Sequence, residues 1–156
     1  MGETLFREHG RQVAALCWRH TLGRPSLIEV LLITSLNSKR WILPKGWTEA
    51  GLTAADDAAR EAFEEAGVTG KVEVQAVGTY HYLKEKKGGT GMPCSVDVFA
   101  IEITKQLDDW PEKDQRRYAW LPIELAAEIV AEPGLRQILA GFRKTHQPAK
   151  ARRVAG

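Results

Sequence analysis

The chain has 156 residues, 44% of them hydrophobic and 27% charged, with a formal net charge of +2, values that fit one globular domain with a real core. The net charge hides an asymmetry: Arg143, Lys144, Lys150, Arg152 and Arg153 crowd the last fourteen residues without an acid, leaving 17 basic against 20 acidic side chains elsewhere. Met1–Gly10 lacks a secretory apolar stretch and runs such as Val30–Ile33 are far too short to span a bilayer, so a cytoplasmic protein without membrane partners is expected.

In chain order, Arg11–Arg19 (RQVAALCWR) reads as a strand and Leu27–Thr34 (LIEVLLIT) as a stronger one, with a turn marked by Gly23 and Pro25 between them. Ser35–Arg40 reads as a polar loop, Trp41–Leu43 as a short apolar run closed by Pro44, and Lys45–Gly51 as a glycine-bounded loop. A helix follows. Thr53 is the expected N-cap, Asp56 and Asp57 complement the dipole in the first turn, six alanines favour helix from Ala54 to Ala66, and Gly67 ends it. Lys71–Tyr80 reads as a strand, Lys84–Gly91 as a mobile basic loop, Cys94–Thr104 as an alternating strand and Arg116–Leu121 as a short strand. Pro122 is placed to open a helix, and Ile123–Ala131 and Leu135–Lys144 read as helices separated by Pro133-Gly134. Cys17 and Cys94 sit in apolar strand contexts and are expected as core thiols; no CxxC or HxxxH spacing suggests structural zinc. Mixed strands and helices without strict βαβ alternation predict an α+β fold or mixed-sheet sandwich. A single domain is expected over residues 1–145, with a flexible basic tail over 146–156. No aromatic residue interleaves the tail's charges, so nucleic-acid binding is not expected.

The chemistry concentrates on the first helix. With an advance of roughly 100° per residue, Glu61, Glu64 and Glu65 share one face, and Asp57 lies one turn earlier on the same side. Like charges at these spacings repel. A hard divalent cation is the natural compensation, since magnesium prefers carboxylate oxygen and keeps waters for substrate phosphates. A solvated acidic face is the alternative.

From Gly46 the sequence runs GWTEAGLTAADDAAREAFEEAGV to Val68. This resembles the Nudix box, G-x5-E-x7-R-E-U-x-E-E-x-G-U with U apolar. Gly46, Arg60, Glu61, Glu64, Glu65, Gly67 and Val68 occupy its fixed positions, with Ala62 at an apolar one. The departure is Leu52, where the pattern asks for Glu; in the family that Glu commonly pairs with the box arginine. Arg60 is expected to pair instead with Asp56 or Glu64, and Asp57 to supply the missing carboxylate. The resemblance implies a Nudix-type α/β/α sandwich with a mixed β-sheet and a loop–helix–loop. It implies a Mg2+ (or Mn2+) dependent hydrolase of a phosphorus anhydride, in which metal-assisted water attacks phosphorus. Glu61 and Glu65 are then the expected metal ligands, Glu64 the general base or a further ligand, and Lys45 a backbone-carbonyl ligand. Arg60 would orient the carboxylates at the catalytic centre, and Glu102, Asp109 and Glu112 are unranked candidates for a carboxylate from outside the box.

Beyond the box, Arg40-Trp41-Ile42-Leu43-Pro44-Lys45-Gly46, Glu64–Gly70, Asp109-Trp110, Arg116-Arg117 and Trp120 resemble the branch that hydrolyses diphosphoinositol polyphosphates and diadenosine polyphosphates. A phosphate-rich substrate needs donors beyond the metal, and Arg11, Ser35, Arg40, Lys45, Lys84 with Lys86 and Lys87, Arg116 and Arg117 are the candidates. Trp47 is the candidate for contact with a base or an inositol face, and His81 a weaker candidate contact. The rivals are a pyrophosphohydrolase of nucleoside triphosphates, nucleotide sugars or capped RNA on the same fold, a non-catalytic ligand-binding protein (motivated by Leu52), and an RNA-binding protein using the basic tail.

Overall fold

A computed structural model describes residues 10–85, 89 and 91–147. Strand β1 (Gly10–Thr21) turns at Gly23, whose φ of 80° suits glycine, into antiparallel β2 (Arg24–Thr34). The short strands β3 (Trp41–Ile42) and β4 (Lys45–Trp47) follow, then helix α1 (Ala54–Ala66), β5 (Val68–Val72), β6 (Gly78–Glu85) and the long β7 (Gly91–Gln106). After a 3-10 turn at Lys113–Gln115 come β8 (Tyr118–Pro122), α2 (Ile123–Ile129) and α3 (Pro133–His146). All strands join one mixed sheet with the order β3-β2-β1-β7-β5; β4 pairs with β1, β6 with β7 and β8 with β2. The central β1–β7 pair is parallel, from Gly10 opposite Cys94 to Trp18 opposite Glu102.

Strand alternation divides the core. Ala14 and Leu16 face α2 and α3, where Ile123, Leu135, Leu139 and Phe142 are buried. Val13, Ala15 and Cys17 face α1, which answers with Ala55, Ala58, Ala62 and Ala66. Helices therefore cover both faces, giving the expected α+β sandwich. Cys17 and Cys94 are free and buried. No helix among the described residues is long and apolar enough to cross a membrane.

Several boundaries differ from the sequence reading. The strand expected over Lys71–Tyr80 is two, β5 and β6, pairing with opposite ends of β7. Glu73 and Val77 still donate backbone N–H to Ala100 and Val98, so residues 74–76 bulge out between them and leave Val74 81% exposed. Lys45–Trp47, read as loop, pairs with Ala14, Val13 and Gln12. Pro122 caps α2 from outside, and Pro133, read as a separator, opens α3. That helix continues through His146 into buried Gln147, whose side chain accepts from the Ile28 N–H (2.8 Å); both residues, expected in the tail, pack on the domain. Residues 148–156, and Lys86 and Lys87 of the expected basic loop, lie outside the described residues.

Candidate active site

The local sequence fixes α1 closely. The Thr53 side chain accepts from the Asp56 N–H at 3.1 Å, and Gly67 closes the helix with a left-handed φ of 67°. Gly67 is required twice over, because a Cβ there would also run into the Trp110 ring. The alanine face brings α1 close to the sheet. That approach directs Glu61 and Glu65 toward β4. Gly46 lies directly against the Glu61 carboxylate, where any Cβ would collide, and the Lys45 N–H donates to Glu65 Oε1 at 3.1 Å. Residues 45 and 46 of β4 therefore each abut one of the two carboxylates.

Both carboxylates are uncomfortable as anions. Burial pushes the Glu65 carboxyl up to about 8, against the opposing pull of Arg116 and the Lys45 N–H. Burial also raises Glu61, partly offset by its hydrogen bond with Glu65 and by Arg60. A divalent cation would reverse that cost. Among the described residues no three acidic, His or Cys side chains converge into a finished cage. Magnesium does not need one, since it relies on one or two carboxylates, waters and substrate phosphate. The oxygen-only donor set of Glu61, Glu65 and neighbouring backbone carbonyls fits such an ion.

Arg116 is held behind this pair. Its guanidinium is 3.3 Å from Glu65 Oε2 and 2.9 Å from Glu112 Oε1, and it donates to the Thr34 carbonyl at 3.0 Å. It was expected to bind substrate. It does line the cleft, and there it pairs with the carboxylates of Glu65 and Glu112. Of the outside carboxylates considered from sequence, Glu112 is the one whose charge bears on Glu61 and Glu65.

These groups open into a cleft of about 470 Å³. Ser35, Arg40, Lys45 and Lys84, all expected at the substrate, line it, as does Trp47, 43% exposed. The Lys45 ammonium donates to the Tyr82 hydroxyl at 3.1 Å, and Tyr82 donates to Gln12 Oε1 at 2.6 Å. Burial and Lys84 lower the Lys45 pKa, against Glu65 and Glu132. Arg11 and Arg117 do not reach the cleft wall. Arg11 is exposed, 3.9 Å from Asp97; strand alternation turns Gln12, not Arg11, inward. Arg117 is exposed, and its backbone N–H donates to the Thr34 hydroxyl at 3.0 Å. His81 faces outward beside Ser95.

Glu64 is half-buried and outside the cleft wall, yet close enough for its charge to act on Glu61. Arg60 pairs with neither Asp56 nor Glu64. It lies 2.7 Å from Glu49, 3.2 Å from Asp57 and 3.3 Å from Glu61. Asp57 is only 1% exposed and does supply a carboxylate to Arg60. Sequence reasoning missed Gln12, Glu49, Tyr82 and Glu132. Only the spacing of Gln12 and Tyr82 on their strands hinted at their inward orientation.

Residues 9–142 match the NUDIX domain. The chain is 34% identical over 125 residues to Nudix hydrolase 16, mitochondrial, of Arabidopsis thaliana, covering 78% of this chain and 69% of that protein. It is 32% identical to diphosphoinositol polyphosphate phosphohydrolase 3-alpha of Mus musculus, covering 77% of this chain and 68% of that protein. The match to Nudix hydrolase 12, mitochondrial, of Arabidopsis thaliana is 30% identical over 81% of this chain and spans 64% of that protein, so the chain covers less than two thirds of this relative. An Ap4A hydrolase structure from C. elegans superposes with a TM-score of 0.64 at 20% identity, covering 87% of this chain and 96% of that one.

Proposed function

The chain belongs to the NUDIX family, and from that premise we propose that it hydrolyses a diphosphate linkage in a phosphate-rich small molecule, with Mg2+ or Mn2+ as cofactor. The observation that carries the reading is the pair of half-buried Glu61 and buried Glu65, both with raised pKa values, opening into a cleft that also holds Arg40, Lys45 and Lys84. Glu61 and Glu65 would hold the cation, with the Lys45 carbonyl beside them. A divalent ion there supplies neutralisation of phosphate charge and a more acidic bound water.

The chain's own groups supply the rest. Arg40, Lys45 and Lys84 bind non-reacting phosphates through charge-assisted hydrogen bonds, and Ser35 adds a neutral donor. Tyr82 and Gln12 fix the Lys45 ammonium over the cleft. Glu64 would be the proton acceptor for the attacking water or a further ligand, the role its box position implies; it stands outside the cleft wall, one turn of α1 from Glu61, on which its charge acts. Trp47 offers a planar surface at the cleft, which favours a dinucleoside polyphosphate over an inositol pyrophosphate as the substrate.

A panel of diadenosine polyphosphates, an inositol pyrophosphate and simple nucleoside triphosphates, each with Mg2+, tests the reading. Release of nucleotide from the diadenosine compounds, lost without Mg2+ and reduced in Glu64→Gln, is expected. Turnover restricted to nucleoside triphosphates would move the chain to the rival pyrophosphohydrolase class. Tight binding without hydrolysis would make it a ligand-binding protein.

A further inference from the structure

The box lacks its glutamate at position 52, and Leu52 is 45% exposed there. The structure assigns that missing role to Glu49, a positioning residue that orients the metal-ligand candidate Glu61 through Arg60. The inference rests on the hydrolase reading above.

Three contacts close into a ring. The Glu49 N–H donates to Asp57 Oδ2 at 3.1 Å, clipping the loop onto α1. The Glu49 carboxylate then takes Arg60 Nη1 at 2.7 Å, closer than the other ion pairs of this arginine. Arg60 Nη2 is left between Asp57 Oδ1 at 3.2 Å and Glu61 Oε2 at 3.3 Å. A guanidinium is planar and rigid. Fixing Nη1 therefore fixes where Nη2 can point. Asp57 alone would anchor the same nitrogen that serves Glu61, leaving the group free to pivot. Glu49 supplies the second point that removes this freedom.

Glu49 itself belongs to the cleft edge and is largely exposed, with a side-chain accessibility of 58%. An exposed carboxylate of this kind contributes little to folding. Its effect is on orientation, which separates it from Asp57, a buried residue whose removal would disturb α1 as well. Arg60 Nε is buried without a partner, so the guanidinium retains one donor that a glutamate from position 52 could engage.

The test uses the full chain, Mg2+ and the best substrate of the panel. Glu49→Gln is expected to lower kcat about 10- to 100-fold, the usual cost of losing a partner behind a metal ligand. KM should change less than about threefold, and the Mg2+ concentration for half-maximal rate should rise. The melting temperature should hold within about 2 °C, as for a surface substitution. Glu49→Asp should recover part of the rate. Glu49→Gln/Leu52→Glu should recover most of it, and Leu52→Glu alone should change kcat less than about threefold because the position's role is already filled. Wild-type turnover with an unchanged Glu49→Gln rate, or failure of position 52 to rescue, would overturn the inference. Absence of Mg2+-dependent turnover in the wild type would overturn the hydrolase reading on which it rests.

Discussion

The two faces of the sheet are built from different materials. The face under α2 and α3 is filled by large side chains, with Leu135, Leu139 and Phe142 of α3 buried against Leu16, Leu32 and Val98. The face under α1 is closed by Ala55, Ala58, Ala62 and Ala66. Large side chains bury more apolar area each, at roughly 25 cal/mol per Å², so the α3 face contributes bulk stability. Alanines bury less but bring a helix close and remove rotamer freedom. The α1 face thus holds carboxylates in register with β4, and it carries strain that the other face does not: half-buried Glu61 and buried Glu65 are acids with raised pKa values.

If this division is right, substitutions on the two faces should separate activity from stability. Glu65→Gln should have the largest effect, lowering kcat on the order of 10³-fold, since a metal's charge stabilisation is worth several kcal/mol. Its urea midpoint at neutral pH should stay level or rise, because a neutral isostere removes the cost of keeping that carboxyl protonated on folding. A matched loss of both would erase the distinction. Leu139→Ala should do the opposite, costing about 2–5 kcal/mol in urea denaturation with kcat within about twofold at a temperature where the protein stays folded. Ala62→Leu probes the close approach itself. Overpacking should cost about 1–3 kcal/mol, and kcat should fall further than in Leu139→Ala, because the helix carrying Glu61 and Glu65 is pushed off the sheet.

The smallest effect concerns pH. The folded state keeps a proton on Glu65 up to about 8, whereas the unfolded carboxyl releases it near the ordinary value of 4.5. This contribution to stability is therefore full below about 4.5 and is lost as pH rises toward about 8. Arg116 and the Lys45 N–H moderate it. Metal-free protein should show a melting temperature that declines over that window, and Glu65→Gln should flatten the decline. Equal slopes in the two proteins would remove Glu65 as its source.

What the sequence disclosed follows from the range of each interaction. Helix α1 was legible almost to the residue because its signals are local: the Thr53 cap, alanine content and the left-handed Gly67. The carboxylate face followed from helical period alone, and the motif named the chemistry. The substrate side was less legible. Gln12 and Tyr82 meet across 70 positions, through strands that both pair with β7, and no local pattern encodes that register. The same register turns Arg11 away. Arg116 carries the right charge for phosphate and lines the cleft, but its pairing with the carboxylates of Glu65 and Glu112 had no local signal. Glu49 escapes the helical pattern because that pattern offers Arg60 partners only along the helix, at i±4, whereas the loop folds back to supply its own.

Mn2+ binding to the intact chain, followed by electron paramagnetic resonance or calorimetry, tests the central claim most directly. The account predicts that the wild type takes up Mn2+, that Glu65→Gln and Glu61→Gln each weaken the uptake at least tenfold, and that Glu102→Gln, which alternation puts on the face of β7 opposite Ile101 and α1, leaves it unchanged. Equal Mn2+ affinity in the wild type and Glu65→Gln would contradict it, and the carboxylate face of α1 would then be a structural feature rather than the metal site.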